Sequence, residues 1–77
     1  MRVACVQLGV KGGAVSTNVD RALDRVRTAA VAGADVVVLP ELFDVGYFAF
    51  DSYARVAESL AGERLSKFAA VAADEGV

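Results

Sequence analysis

At 77 residues the chain is at most one small domain, and domains of this size are marginally stable without a staple or a partner. A single cysteine excludes an internal disulfide, the lack of histidine leaves no metal-ligand cluster, and a net charge of −2 without a basic stripe argues against nucleic acid as a partner. Yet 56% of the residues are hydrophobic and the mean hydropathy is +0.46, more apolar surface than so short a chain can cover by itself.

Arg2 to Leu8 reads as a strand that is apolar at nearly every position, the pattern of a strand buried on both faces of a parallel sheet. The start lacks the long apolar run and small-residue cleavage pattern of a signal peptide, and no run in the chain can span a bilayer. A lone cysteine in an apolar strand predicts a reduced, cytoplasmic protein. Gly9 to Ser16, with Gly12-Gly13, reads as a loop. Thr17 to about Ala32 is the clearest helix: Val19, Ala22, Leu23, Val26, Ala29 and Ala30 form one stripe, and Asp20, Arg21, Asp24, Arg25 and Arg27 take the other face. Thr17 and Asp20 have the spacing of a capping box, and Gly33 is placed to stop the helix.

Asp35 to Leu39 reads as a second strand, again apolar on both faces, and Pro40 ends it because proline cannot donate to the ladder. The strand–helix–strand unit is long enough for a right-handed parallel crossover. Glu41 to Phe50 is an aromatic-rich loop. Asp51 or Ser52 is placed to cap a short helix to about Leu60. Gly62 opens another helix, with Leu65, Phe68, Ala69 and Ala72 on one face, a Glu63–Lys67 pair at i, i+4, and an end at Glu75-Gly76. Val77 reads as the first residue of a third strand. Two parallel strands and three helices leave sheet edges and apolar faces open, so the chain is expected to be the incomplete N-terminal part of a larger α/β layered domain.

Glu41 is the residue that stands out. It lies just past the C-terminal end of a parallel strand, where ligand sites of open α/β sheets gather. Pro40 stiffens its approach, and Leu39, Leu42 and Phe43 are expected to desolvate it, raising its carboxyl toward the range of a general base. On spacing alone, a solvent-exposed loop glutamate is the better-supported reading.

A resemblance changes that balance. Val3-Ala4-Cys5-Val6-Gln7-Leu8 looks like the opening strand of nitrilase-superfamily carbon–nitrogen hydrolases, and Asn18 followed by an amphipathic helix is similar to the family's next segment. Gly33-Ala34-Asp35-Val36-Val37-Val38-Leu39-Pro40-Glu41-Leu42-Phe43 with Gly46-Tyr47 resembles the family's signature around its catalytic glutamate. The likeness runs along essentially the whole chain, in order. It implies an α–β–β–α sandwich, of which these residues supply strand–helix–strand–helix–helix. It implies that Glu41 is the general base of a Cys-Glu-Lys site that hydrolyses a small amide, N-carbamoyl compound or nitrile through a thioester. The family's lysine and cysteine lie downstream and match nothing here, so the chain by itself is expected to be inactive. No cofactor, metal, nucleic acid or membrane is called for, and the full-length form is expected to be a homo-oligomer.

The remaining candidates are weaker. Cys5 falls at an ordinary buried strand position in the family, where an apolar setting keeps a thiol inert. Lys11 and Lys67, the only lysines, read as solvated. The Gly9–Gly13 loop hints at a phosphate cradle but lacks a recognised spacing. Tyr47, Phe48 and Phe50 suit a substrate wall near Glu41 as well as a core or a subunit interface, with Tyr47 the one expected nearest the site because it stands in the matched Gly-Tyr pair. Two rival readings stand beside the hydrolase: a non-catalytic interaction module that pairs through an open sheet edge, and a nucleotide-binding piece resting on the glycine loop.

Overall fold

The computed structural model describes all of residues 1–77. Strand β1 (Val3–Cys5) is followed by helix α1 (Val15–Val31), strand β2 (Val36–Val38), a single 3-10 turn (Phe50–Ser52) running into a short helix α2 (Tyr53–Val56), and helix α3 (Glu63–Glu75). The strands pair in parallel, Val3 opposite Val36, Ala4 opposite Val37 and Cys5 opposite Val38, as the crossover reading expects. Each strand is shorter than its apolar run, because the ladder continues only one step, through the Val6 amide and the Val38 carbonyl at 2.9 Å. At the other end Arg2 closes the unit. Its main-chain N–H donates to Asp35 Oδ2 at 2.7 Å, and its guanidinium donates to the Ala32 carbonyl at 3.1 Å.

The α1 stripe packs as its periodicity requires: Val19, Ala22, Leu23 and Val26 are buried. Val19, Leu23 and Val26 join Val71 of α3 in a core against which Val37, Leu39, Phe43 and Phe68 lean. The helix starts earlier than expected, at Val15, with Ala14 as its cap and no side-chain cap bond. Thr17 therefore lies inside the first turn and forms no capping box with Asp20. The C-terminus ends as a Schellman motif. Gly33 at φ +98° donates to the Ala30 carbonyl, and Ala34 donates to that of Ala29.

Burial on both faces of the sheet is not observed. Both helices lie on one side, so Val37 and Leu39 are half-buried, while Val3 (56% exposed), Val36 (40%), Val38 (48%) and Cys5 are exposed. Only 8 of 77 residues are buried, which matches the surplus of apolar composition. Cys5, expected in a buried position, is on this open face for the same reason.

Helix α2 stops at Val56 rather than near Leu60, because Glu58 has another task. Its carboxylate accepts the Arg64 amide at 2.9 Å, capping α3 from outside where the capping residue, Gly62, has no side chain to do so. In α3 the residue driven deepest is Val71, with Phe68 and Ala72 half-buried, whereas Leu65 and Ala69 of the expected face are exposed. The Glu63–Lys67 pair forms at 3.3 Å on the surface. Gly76, at φ +72°, ends the helix, and the Val77 side chain packs against the core.

Candidate active site

Glu41 opens the turn that follows β2, on the rim where the parallel strands end. It is exposed. The desolvation expected from Leu39, Leu42 and Phe43 is not supplied, because those side chains turn away from it into an open groove of about 780 Å³ beneath the turn. That groove is walled mainly by apolar residues of β2, the turn and α3, and Glu41 is not among them.

The turn itself is tightly specified. Leu42 has φ +54°, a left-handed conformation that costs a non-glycine residue about 1–2 kcal/mol. Four residues on, the Gly46 amide donates to the Leu42 carbonyl at 2.9 Å. Gly46 is at φ +92° and passes so close to the Gly12 backbone that a Cβ there would stand 2.9 Å from Gly12 Cα. Gly13 reciprocates by donating its amide to the Val45 carbonyl at 2.8 Å. Asn18, fully buried on α1, joins the same two loops. Its Oδ1 accepts the Lys11 amide at 3.1 Å, and its Nδ2 donates to the Lys11 carbonyl at 2.8 Å and the Asp44 carbonyl at 2.7 Å. The glycine loop thus spends the Lys11 and Gly13 amides inside the protein. A phosphate cradle needs those donors free, so the structure does not support one.

Asp44 is held from the opposite side as well. Its Oδ1 accepts the Val45 amide at 2.8 Å, and its Oδ2 lies 3.3 Å from Arg64 Nε. Arg64 also lies 3.5 Å from Glu58 and donates to the Val56 carbonyl. Beyond the turn, Tyr47, Phe48, Phe50 and Tyr53 form edge-to-face contacts with centroids 5.1–6.5 Å apart. Tyr47, the expected pocket residue, is half exposed within this cluster. The Tyr53 hydroxyl donates to the Tyr47 carbonyl. Partial burial of the ring, then Tyr47, then the Glu41 carboxylate hold the Tyr53 phenol above its ordinary pKa.

Of the residues singled out from the sequence, the structure places Glu41 on the rim of the sheet and Tyr47 in the aromatic cluster that continues from its turn. It sets Cys5 on the bare sheet face, Lys11 in the glycine loop and Lys67 in its surface pair. Tyr53, Asp44 and Arg64 were not singled out. Arg64 carried a signal: a basic residue in the first turn of a helix opposes the helix dipole unless an acidic partner meets it, and here Asp44 and Glu58 do. No three acidic or cysteine side chains converge on a common point suited to a metal, and no helix is long and apolar enough to cross a membrane.

The chain is thus a parallel strand–helix–strand unit that presents Glu41 just past the C-terminal end of its second strand. The family model for carbon-nitrogen hydrolases matches residues 2–77, and the chain belongs to that family. Membership brings hydrolase function at the family level. No curated protein and no solved structure matches the chain significantly.

Proposed function

We propose that Glu41 is the general base of an amidase-like Cys-Glu-Lys site, in an enzyme of which residues 1–77 form the N-terminal part. The observation that carries the proposal is the position of Glu41: first residue of a rigidly held turn, at the C-terminal end of a parallel strand, in a chain of the carbon-nitrogen hydrolase family. The cysteine and the lysine are supplied from outside these residues. Glu41 takes the thiol proton as sulfur attacks the carbon of a small amide, and the lysine stabilises the tetrahedral oxyanion. The C–N bond breaks, ammonia leaves with the proton, and a thioester remains. Glu41 then takes a proton from water, which releases the carboxylic acid and restores the thiol.

The bare sheet face supports the sandwich architecture. Helices cover one side only, and Val3, Cys5, Val36 and Val38 offer the other to a second sheet. Such a layer would bury Cys5 and enclose Glu41 from the solvent side, supplying the low-dielectric setting that a general base uses. The same apolar face favours a second reading, a non-catalytic module that pairs with a partner through its open edges. We assign the enzyme a small amide as substrate, a reduced cytoplasmic setting and a homo-oligomeric state.

Incubation of the longer enzyme with a panel of small aliphatic amides, N-carbamoyl compounds and nitriles, with ammonia as the readout and mass spectrometry for an acyl adduct, tests this. Ammonia release from amides with a thioester on a cysteine outside residues 1–77 is the expected result. Hydrolysis by the 77-residue chain alone, or the absence of any acyl adduct during turnover, would sink it.

A further inference from the structure

Asp44 is engaged on every side by a different part of the chain. Its carbonyl accepts from Asn18 of α1, its Oδ1 from the adjacent Val45 amide, and its Oδ2 faces Arg64 of α3 at 3.3 Å. Asn18 is fully buried and uses both amide hydrogens and its oxygen on main-chain groups of the two loops flanking the rim, Lys11 and Asp44. The pattern exceeds what closing a turn requires, since the Gly46-to-Leu42 bond already does that. Between Glu41 and this anchor lies one strained residue, Leu42 at φ +54°. A left-handed non-glycine residue persists only where its surroundings over-determine it, and Leu42 sets the direction in which the chain leaves Glu41.

We infer that Asn18, Asp44 and Arg64 form a clamp that holds Leu42 in its left-handed conformation and so aims Glu41; all three are positioning residues for the base. The inference rests on the assignment of Glu41 as that base. Its reach is physical: α3 lies more than 20 residues beyond Glu41 in sequence, yet the Arg64 guanidinium fixes the turn that Glu41 begins. A base that wanders by about an ångström can lose on the order of 100-fold in rate while substrate binding is unaffected.

The test uses the longer enzyme with Arg64→Ala, Asp44→Ala and the double variant, each checked for folding by its thermal midpoint. Arg64 is partly exposed, so its replacement is tolerable to the fold; Arg64→Lys serves as a second, milder variant. Steady-state kinetics on an amide and hydrogen exchange of the Gly13, Val45 and Gly46 amides are the readouts. The clamp predicts a 10- to 100-fold fall in kcat, KM within about twofold, a double variant no worse than either single one, partial recovery in Arg64→Lys, and faster exchange at those three amides with α1 still protected. Wild-type kcat in folded Arg64→Ala and Asp44→Ala, while Glu41→Gln is inactive, overturns the clamp alone. Unchanged exchange at the three amides overturns it whatever Glu41 does. Full activity in Glu41→Gln removes the base and the clamp's purpose together.

Discussion

Replacing Asn18 by alanine removes the side chain on which the two rim loops meet. Three hydrogen bonds disappear at once, to the Lys11 amide, the Lys11 carbonyl and the Asp44 carbonyl. At a net contribution of about 1 kcal/mol each the loss is about 3 kcal/mol, and main-chain groups left without partners in a site that excludes water push it higher. Against a typical total stability of about 5–15 kcal/mol, that is a large fraction. Asn18→Asp distinguishes hydrogen bonding from simple cavity formation. It keeps the volume and one acceptor but points a carboxylate at two carbonyl oxygens, so the folded state favours the protonated form. The folded carboxyl pKa then lies above the unfolded value near 3.9, the native state binds more protons than the unfolded one, and stability falls as pH rises through that folded pKa. Urea unfolding read by circular dichroism at neutral and mildly acidic pH gives both numbers. A shift in Asn18→Ala below about 1 kcal/mol, or an Asn18→Asp variant insensitive to pH, would refute the role given to this residue.

Other outcomes follow from the same geometry. Gly46→Ala should destabilise by more than 2 kcal/mol or so, since the added carbon meets the Gly12 backbone at 2.9 Å as well as a left-handed φ, whereas Gly76→Ala, with nothing within 4 Å, should lose only about 1 kcal/mol of backbone strain; equal losses in urea titrations would contradict the close approach. Glu58→Ala should cost about 1 kcal/mol by uncapping α3, seen as earlier exchange of the Arg64 amide. The Tyr53 phenol, held up first by partial burial, should titrate above about 10 in ultraviolet absorbance. Its protonated form is favoured in the folded state, so that contribution to stability is present below the unfolded pKa and lost as alkaline pH rises through the folded one. Glu41→Gln should lower this pKa, and no change would place Tyr53 out of reach of Glu41.

The parallel strand–helix–strand unit was legible because periodicity reports one-sided burial directly, as Val19, Ala22, Leu23 and Val26 show. Double-sided burial of the strands was not, because an apolar run states what a surface prefers and not whether a covering layer is present; Val3, Val36 and Val38 are as apolar as a core and are bare. Glu41 could be located from Pro40 and the strand end, but its environment could not, since Leu42 reverses the chain with a left-handed φ that no leucine advertises. Asn18 was visible only as part of a resemblance, although a polar residue on the stripe beside Val19 asks for buried partners. The early end of α2 depends on a contact from Glu58 to Arg64 six residues away, which local propensity does not encode.

The most direct measurement is the turnover of the longer enzyme carrying Glu41→Gln on a small amide, with the thermal midpoint taken on the same preparation. The account predicts a loss in kcat of roughly 10²–10⁴-fold, the usual contribution of a positioned base, with the midpoint little changed because the bonds that tie the turn run through Asn18, Asp44 and Arg64 and not through the Glu41 side chain. Near-normal turnover in a folded variant would mean that the base lies elsewhere.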